Sequence, residues 1–480
     1  MNRSVDVAVI GAGHAGLNAI KEIRKVTDNY VLINGGDLGT TCARIGCMPS
    51  KVAVHLAEAY QLRNRFERIG IQGAEHLQLD HAAALEHVRD LRDTFVDLVL
   101  ANTTDEMKEH ELIKGYAEFI SPNVIRIGNQ TIHAHATVIA TGARSCVPSQ
   151  WQERFGDGIL TVENLFEQER LPKSVAVLGL GPIGIEMGQA LRRLGVEVTG
   201  VEQGTTISRI QDPAVNQEAI RILEREFPLW LGEKAEIERE GDGFRVRSGD
   251  REVLVEKLFV ATGRRPNLDR MNIKRLGASL DEQGVPHHDP ETLQVGRLPI
   301  YLAGDATGGI ANLQRAADQG RIAGYNAARG FAERFNQKTP MAIVFCEPNI
   351  ACVGAEWSNL DESRTAVAQI RFGPVGRALI MGQNRGILRV YADKQSGRLL
   401  GAAMIGPRCE HLAHLIAWAV ESQMTAQQAL QMPFYHPVIE EALQDALHAL
   451  LPKIEPRRKP FSLPNLGFLR RQGRTGAKAA

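Results

Sequence analysis

Residues 6–16 read DVAVIGAGHAG and residues 175–184 read VAVLGLGPIG. Each is a short apolar run that ends in three glycines at the same spacing, Gly11, Gly13 and Gly16 in one and Gly179, Gly181 and Gly184 in the other, and then passes into a helical pattern. The first continues as strand Asp6–Ile10, an Ala-rich helix and strand 30–33; the second as strand 175–178, a helix near 185–194 and strand 196–201. These are two βαβ units. Glycine turns also join strands to helices for packing reasons alone, so one copy is weak evidence. Two copies, each after a strand and before a helix, point to dinucleotide binding, with the pyrophosphate on the helix N-terminus.

The residue expected to meet the adenosine ribose closes the second strand of each unit. In the second unit it is Glu202, whose carboxylate suits a free 2′-hydroxyl and repels a 2′-phosphate, which favours NAD over NADP. In the first it is Asn34, which keeps a hydrogen bond without the charge.

A chain of 480 residues with 44% apolar residues is globular and too long for one core, so two to four domains are expected. Its net charge of +0 gives no global pull toward nucleic acid or an anionic membrane. No apolar run has the length of a membrane span, and the N-terminal apolar stretch runs straight into glycines, as a first strand does and a secretory signal does not. Six cysteines, at 42, 47, 146, 346, 352 and 409, are too scattered for a secreted disulfide framework. A soluble protein of a reducing, cytoplasmic compartment is the expectation.

Strands 136–140 and 258–261 run into Thr141-Gly142 and Thr262-Gly263, which read as crossings between domains. Residues 52–114 carry a helical pattern broken at Gly70 and Gly73, and beyond Pro340 short strands give way to helices at 411–421 and 438–450. The expected division is a first dinucleotide domain at 1–150 completed by 271–340, a second at 151–270, and an α+β domain at 341–451. Residues 452–480 form a basic, Pro- and Gly-rich tail expected to be flexible, with docking of a partner protein as a further use.

The chemistry lies in GTTCARIGCMPSK, residues 39–51. Four residues separate Cys42 from Cys47. On a first helical turn that spacing brings two sulfurs within disulfide reach, and a helix N-terminus favours the thiolate. A tetrahedral zinc site would need two more ligands, which the sequence does not offer, so no metal is expected. Redox use is the sharper reading and a buried inert pair the bland one.

This run resembles the redox motif of the class I pyridine nucleotide-disulfide oxidoreductases, the family of dihydrolipoyl dehydrogenase, glutathione reductase and mercuric reductase. The likeness covers nearly the whole chain and includes both glycine triads, the Ala-Thr-Gly turns, Ala303-Gly304-Asp305, and His436-Pro437 with Glu441. It implies a fold of two Rossmann-like domains, for FAD and NAD, with a C-terminal α+β dimerisation domain. By the same resemblance Gly11, Gly13, Gly16, Asn34, Thr41, Lys51, Thr141, Gly142, Gly179, Gly181, Gly184, Glu202, Gly263, Gly304 and Asp305 serve the two cofactors, with Asp305 on the FAD ribityl chain. Lys51 pairs with Glu186 beside the flavin. Cys47 forms the charge-transfer thiolate, Cys42 exchanges with the substrate sulfur, and His436, oriented by Glu441, is the base, acting in the other subunit of a homodimer. For Asp305 the bland alternative is a helix cap, and for Lys51 a solvent-facing amine.

Within that family Glu202 and Ser208 speak against the glutathione reductases, which hold a 2′-phosphate with basic residues. The soluble transhydrogenases lack the second cysteine, and the mercuric reductases carry a C-terminal vicinal pair that is missing after Cys409. Dihydrolipoyl dehydrogenase remains, oxidising a lipoyl-bearing protein or small dithiol. Three departures from its pattern, Arg44 beside the exchange thiol, Phe434 two residues before the catalytic His, and Ala311–Arg315, leave room for another disulfide or a quinone-type acceptor. A flavin-bound interaction module is disfavoured, because it has no use for Cys42, Cys47, His436 and Glu441 together.

Overall fold

A computed structural model describes residues 2–309 and 311–455. Most of the basic tail therefore lies outside the described residues. Two compact units emerge, Met1–Thr205 with Glu226–Gln337, and Thr206–Arg225 with Lys338–Ala480.

The first unit is built on two sheets with a common plan. In one, β1 (Asn2–Ile10) lies between β2 (Tyr30–Asn34) and strand Gln130–Ile139, all parallel, with Ile10 opposite both Ile33 and Ile139. Strand Ile300–Leu302 adds to the far side of Gln130–Ile139 in parallel, with Leu302 opposite Ile139. This register places Gly11, Asn34, Thr141-Gly142 and Gly304-Asp305 along one carboxyl edge, where open α/β sheets bind ligands. In the other sheet Leu178 stands opposite Val201 and Val260, so Gly179, Glu202 and Thr262-Gly263 share the corresponding edge.

Interior strand positions are apolar on both faces, as a sheet covered on both sides requires: Val5, Val7, Ala8, Val9 and Ile10 are all buried. One face carries α1 (His14–Ile23) and helix Leu313–Arg329. These two helices approach to backbone contact. A Cβ on Gly320 would lie 2.1 Å from the Ala15 carbonyl oxygen, and one on Gly324 would lie 2.4 Å from that of Ala19. The sequence reading did not single out this glycine pair.

Residues 112–114, expected to close a helical region, instead form strand Leu112–Lys114 beside β2, and an antiparallel hairpin Ala117–Ser121 and Val124–Ile127 follows. The helical pattern ends at Ala101, where Asn102 caps the long helix His81–Ala101. Strands this short carry too few residues for alternation to show.

The second unit is an antiparallel sheet of five strands, ordered Met341–Val344, Asn349–Gly354, Leu399–Gly406, Ile387–Asp393 and Thr365–Arg371, with helices Cys409–Glu421 and Glu441–Leu450 sharing its core. It also holds residues 206–225, which the sequence reading places in the second dinucleotide domain. Asp212 explains why. Fully buried, it accepts from Ala214 N and Val215 N to start helix Pro213–Leu223, and also receives Arg389 Nη1 at 3.0 Å and the Tyr391 hydroxyl at 2.6 Å from the sheet.

The glycine contact is testable. Gly320→Ala forces α1 and Leu313–Arg329 apart and lowers unfolding stability in urea by about 1–3 kcal/mol, as overpacking does. An unchanged midpoint would show that the two backbones can separate without cost.

Candidate active site

The cysteines do not share a helix. Cys42 lies in α2 (Thr41–Arg44), and Cys47 is the first residue of α3 (Cys47–Gln61). Between them the Ile45 and Gly46 amides both donate to the Thr41 carbonyl, at 3.1 and 2.8 Å, which closes the first turn before the second begins. A Cβ on Gly46 would press the Thr41 oxygen at 3.1 Å, so the short crossing needs a glycine. This break, and not the continuous turn expected from spacing, sets the thiols side by side. The cap of α2 is Thr40, whose hydroxyl accepts from Ala43 N; Thr41 itself is exposed.

Both thiols are free, and Cys42 hydrogen-bonds to Cys47. That bond, more than any other influence, lowers the Cys47 pKa to about 6; burial opposes it, and the Lys51 ammonium adds to it. Cys42 is pushed well up by the same bond and by burial. Elsewhere burial pushes Cys352 up to about 12 and Cys409 well above the usual thiol value. The pattern concentrates thiolate character on Cys47.

Lys51 does not face solvent alone. Its Nζ lies 2.7 Å from Glu186 Oε2, joining α3 to helix Pro182–Arg193, and the Glu186 side chain is 6% exposed. Arg44 turns back to its own loop, with Nη2 3.4 Å from Asp37 and Nη1 3.3 Å from the Leu38 carbonyl.

The glycine turns can be divided into those the protein requires and those it does not. Gly11 and Gly179 have φ of +108° and +93°, and a Cβ on either would strike the carbonyl of Ala140 or Ala261. Gly16 and Gly184 pack against the oxygens of Gly11 and Gly179, at 1.9 and 2.0 Å from a Cβ. Gly181 has nothing within 4 Å, and Gly13 has only the Ala140 oxygen at 3.9 Å. The middle glycine thus leaves open space at a helix N-terminus. Neither α1 nor Pro182–Arg193 has a side-chain cap, whereas helices elsewhere are capped by Asp80, Asp212 and Asn312. Uncapped amides facing open space fit the pyrophosphates of two dinucleotides.

Around the first of these turns the Thr141 hydroxyl is buried without a hydrogen-bond partner. Asp305, its pKa raised by burial and held back by Arg264 and Arg315, makes no side-chain hydrogen bond among the described residues. It is not a helix cap, because Asn312 fills that role. An orphan hydroxyl and an unbonded carboxylate at the same sheet edge fit the hydroxyl-rich ribityl chain of FAD. Arg264, 3.9 Å from Asp305, and Gln319, which accepts from Gly304 N at 2.9 Å, are neighbours that the sequence reading missed because both are distant in sequence.

Asn34 and Glu202 have the same backbone duty. Asn34 Oδ1 accepts from Ala12 N at 3.0 Å, and Glu202 Oε2 accepts from Leu180 N at 2.9 Å, each the residue after the first glycine. The Asn34 amide also donates to Gly36 O at 2.6 Å, which leaves its second N–H and one carbonyl lone pair for a ribose. Ser208 is buried and Arg209 beside it is exposed, so the expectation of NAD over NADP is carried by Glu202.

In the second unit His436 Nδ1 lies 2.8 Å from Glu441 Oε1, and Glu441 Oε2 accepts from Val438 N at 3.1 Å. A carboxylate only accepts, so the imidazole proton sits on Nδ1 and the Nε2 lone pair is free to take a proton. The bond from His436 holds the Glu441 carboxyl below its ordinary pKa. The His436 side chain is 80% exposed. Among the described residues no cluster of His, Cys, Asp and Glu is arranged for a metal ion, and no helix is long and apolar enough to cross a membrane.

Residues 5–320 match the family model described as pyridine nucleotide-disulphide oxidoreductase, and residues 340–447 match the dimerisation domain of that family. Mercuric reductase of Bacillus cereus is 28% identical over 432 residues, which cover 88% of this chain and 68% of that protein. Dihydrolipoyl dehydrogenase of Geobacillus stearothermophilus is 28% identical over 451 residues, 91% of this chain and 94% of the other. In fold the chain is similar to the Cu(II) complex of the HOCl-induced flavoprotein disulfide reductase RclA from Escherichia coli, with a TM-score of 0.81 at 24% identity over 93% of this chain and 99% of that one.

Two measurements check this geometry. In the reduced protein, thiolate absorbance in the ultraviolet persists at neutral pH and is lost as pH falls through about 6. Cys47→Ser removes the transition and Cys42→Ala moves it upward; a midpoint near the ordinary thiol value would remove the hydrogen bond's role. Gly181→Ala leaves the unfolding midpoint within ~0.5 kcal/mol of the parent, as a surface change does, and weakens binding of the pyridine nucleotide. Equal loss of stability and binding would mean that the glycine serves packing.

Proposed function

Because the chain belongs to the pyridine nucleotide-disulphide oxidoreductase family, whose members bind FAD and use NAD(P)H, we propose that it is an NAD-dependent dihydrolipoyl dehydrogenase working through Cys42 and Cys47. The observation that carries this reading is the hydrogen-bonded thiol pair with its lowered Cys47, beside Lys51–Glu186. The proposed assignment is FAD on 1–150 with 271–340, NAD on 151–270, and a dimer face on 341–451.

In the oxidised enzyme the pair is a disulfide. His436 Nε2 takes a proton from one thiol of the dihydrolipoyl group, and the resulting sulfur attacks Cys42. The Cys42–Cys47 bond breaks and its electron pair leaves on Cys47. That direction is favoured because the sulfur of lower pKa is the better leaving group. The second substrate thiol then displaces Cys42, which closes the lipoyl disulfide and leaves both cysteines reduced. Glu441 stabilises the imidazolium in the interval. In the homodimer that the dimerisation domain supports, His436 serves the cysteines of the partner subunit.

Residues Gly13, Thr141, Asp305 and Lys51 would hold FAD, which supplies the two-electron relay to NAD⁺. The balance is one dithiol and one NAD⁺ consumed for one disulfide, one NADH and one proton. Glu202 is the residue that would select NAD, its Oε1 being held by Gly204 N at 3.1 Å.

A second reading rests on Tyr435, 81% exposed beside His436, with Phe434 packed on the core of the unit. A large aromatic next to the base would suit a disulfide bulkier than lipoamide. The assay that separates them follows NAD⁺ reduction at 340 nm with dihydrolipoamide. Turnover is expected with NAD⁺ over NADP⁺, is abolished in Cys47→Ser, and falls by ~10²–10⁴ in His436→Gln, the usual weight of a general base. No NAD⁺ reduction by dihydrolipoamide, together with NADH oxidation by another disulfide or a quinone, would replace the first reading.

A further inference from the structure

We propose that a cleft toward the amino-terminal end of the first sheet binds a small organic anion, with a carboxylate or phosphate head and an apolar body. The cleft measures about 560 Å³ and lies among Asp6 of β1, the turn after α1, His135, residues 294–301 and the last turn of helix Leu313–Arg329. This volume falls within the range of roughly 300–1,000 Å³ of small-molecule sites. Asp6 precedes Gly11 by five residues, so the cleft is displaced along β1 by roughly 15 Å from the glycine turn. None of the residues that line it has a place in either dinucleotide site or in the thiol chemistry.

Tyr301 is the first reason to expect a ligand. It is 2% exposed, lines the cleft, and makes no side-chain hydrogen bond among the described residues. Its hydroxyl is not sealed from solvent, as the unpartnered Thr141 hydroxyl is, so it opens onto the cleft it lines. Burial is also the sole influence on its pKa, which it raises.

The charges at the rim give the sign of that ligand. Arg297 has neither an ion pair nor a hydrogen bond among the described residues. Arg329 stacks at 3.7 Å over the Tyr325 ring and donates to the Tyr325 carbonyl at 3.3 Å, which leaves its charge without a carboxylate. The one acid, Asp6, is bound into the protein: Oδ2 accepts from the Thr27 hydroxyl at 2.5 Å and Oδ1 from Asn29 Nδ2 at 3.1 Å. His135 sits 3.9 Å from the same carboxylate. The lining therefore carries two guanidiniums against a single acid, and of the two it is Arg297 whose charge has no partner among the described residues. Guanidinium forks match carboxylate and phosphate geometry. Between these groups Val26, Ala136 and Ala327 supply an apolar wall, which suits a body larger than an inorganic ion.

The test is ¹⁹F NMR of the holoenzyme with two probes, 4-fluorobenzoate and 4-fluorophenyl phosphate. Saturable broadening of at least one is expected, and the tighter probe identifies the head group. Arg297→Ala, on an exposed turn, and Tyr301→Phe, which removes one oxygen, should each weaken it about tenfold, equal to ~1.4 kcal/mol. Saturating NAD⁺ should leave binding unchanged. The proposal is overturned if neither probe binds, if both variants bind as the parent does, or if NAD⁺ displaces the probe; retained thermal midpoints exclude misfolding as the cause of any loss.

Discussion

The backbone contact between α1 and helix Leu313–Arg329 is the constraint on which the first unit depends. Gly320 and Gly324 let one helix press on the Ala15 and Ala19 carbonyls of the other. Residues with side chains would hold the axes at the usual 8–10 Å or more. The closeness has a functional consequence, because α1 begins at the open glycine turn, while Gln319 reaches from the second helix to hold Gly304 N. The pyrophosphate end and the Asp305 end of one proposed cofactor site are thereby fixed to each other across some three hundred residues of sequence. Parallel register does the rest, aligning Ile10, Ile139 and Leu302 so that the turns after them share an edge.

At the thiols several small effects compete, and their order decides the chemistry. Burial raises the Cys47 pKa and Glu186 raises it further; Lys51 lowers it, opposed by the Glu186 carboxylate with which it is paired at 2.7 Å. The hydrogen bond from Cys42 tips the balance. It exists because the chain ends one helical turn and starts another between the two sulfurs, so the break at Ile45–Gly46 is as much part of the site as the cysteines. Reactivity is thus a property of the pair, and forming the disulfide removes the donor that stabilises the thiolate.

What was legible in the sequence is what is local. The glycine triads, the Cys42–Cys47 spacing and the His436–Glu441 pair each lie within a dozen residues, and the structure brings each group together. The break between α2 and α3 was not legible, because a five-residue spacing is compatible with one helical turn or two, and only the double donation to the Thr41 carbonyl decides it. Nor was the move of 206–225 into the second unit, since it depends on Asp212 meeting Arg389 and Tyr391, far along the chain. The Gly320–Gly324 spacing was visible but silent, because small residues four apart on a helix acquire meaning only when another backbone lies against them.

The two βαβ units also act as an internal control within one chain. Both triads obey the same steric rule, with the third glycine packed on the oxygen of the first at 1.9 and 2.0 Å, and in both the residue closing the second strand receives the amide that follows the first glycine. Asn34 and Glu202 perform that bracing at nearly equal distance, so it does not require a charge. The charge of Glu202 must therefore answer to something else. Each of its oxygens accepts a single backbone amide, from Leu180 and from Gly204, and keeps a lone pair for a further donor. Asn34 likewise keeps a carbonyl lone pair and a second N–H after donating to Gly36, but it carries no charge. A pair of hydroxyl donors satisfies the remaining capacity of Glu202, and a phosphate in their place would meet a fixed negative charge. The proposed selectivity for NAD therefore draws on the charge in the second unit, and the proposed FAD site in the first draws on the edge residues Thr141 and Asp305.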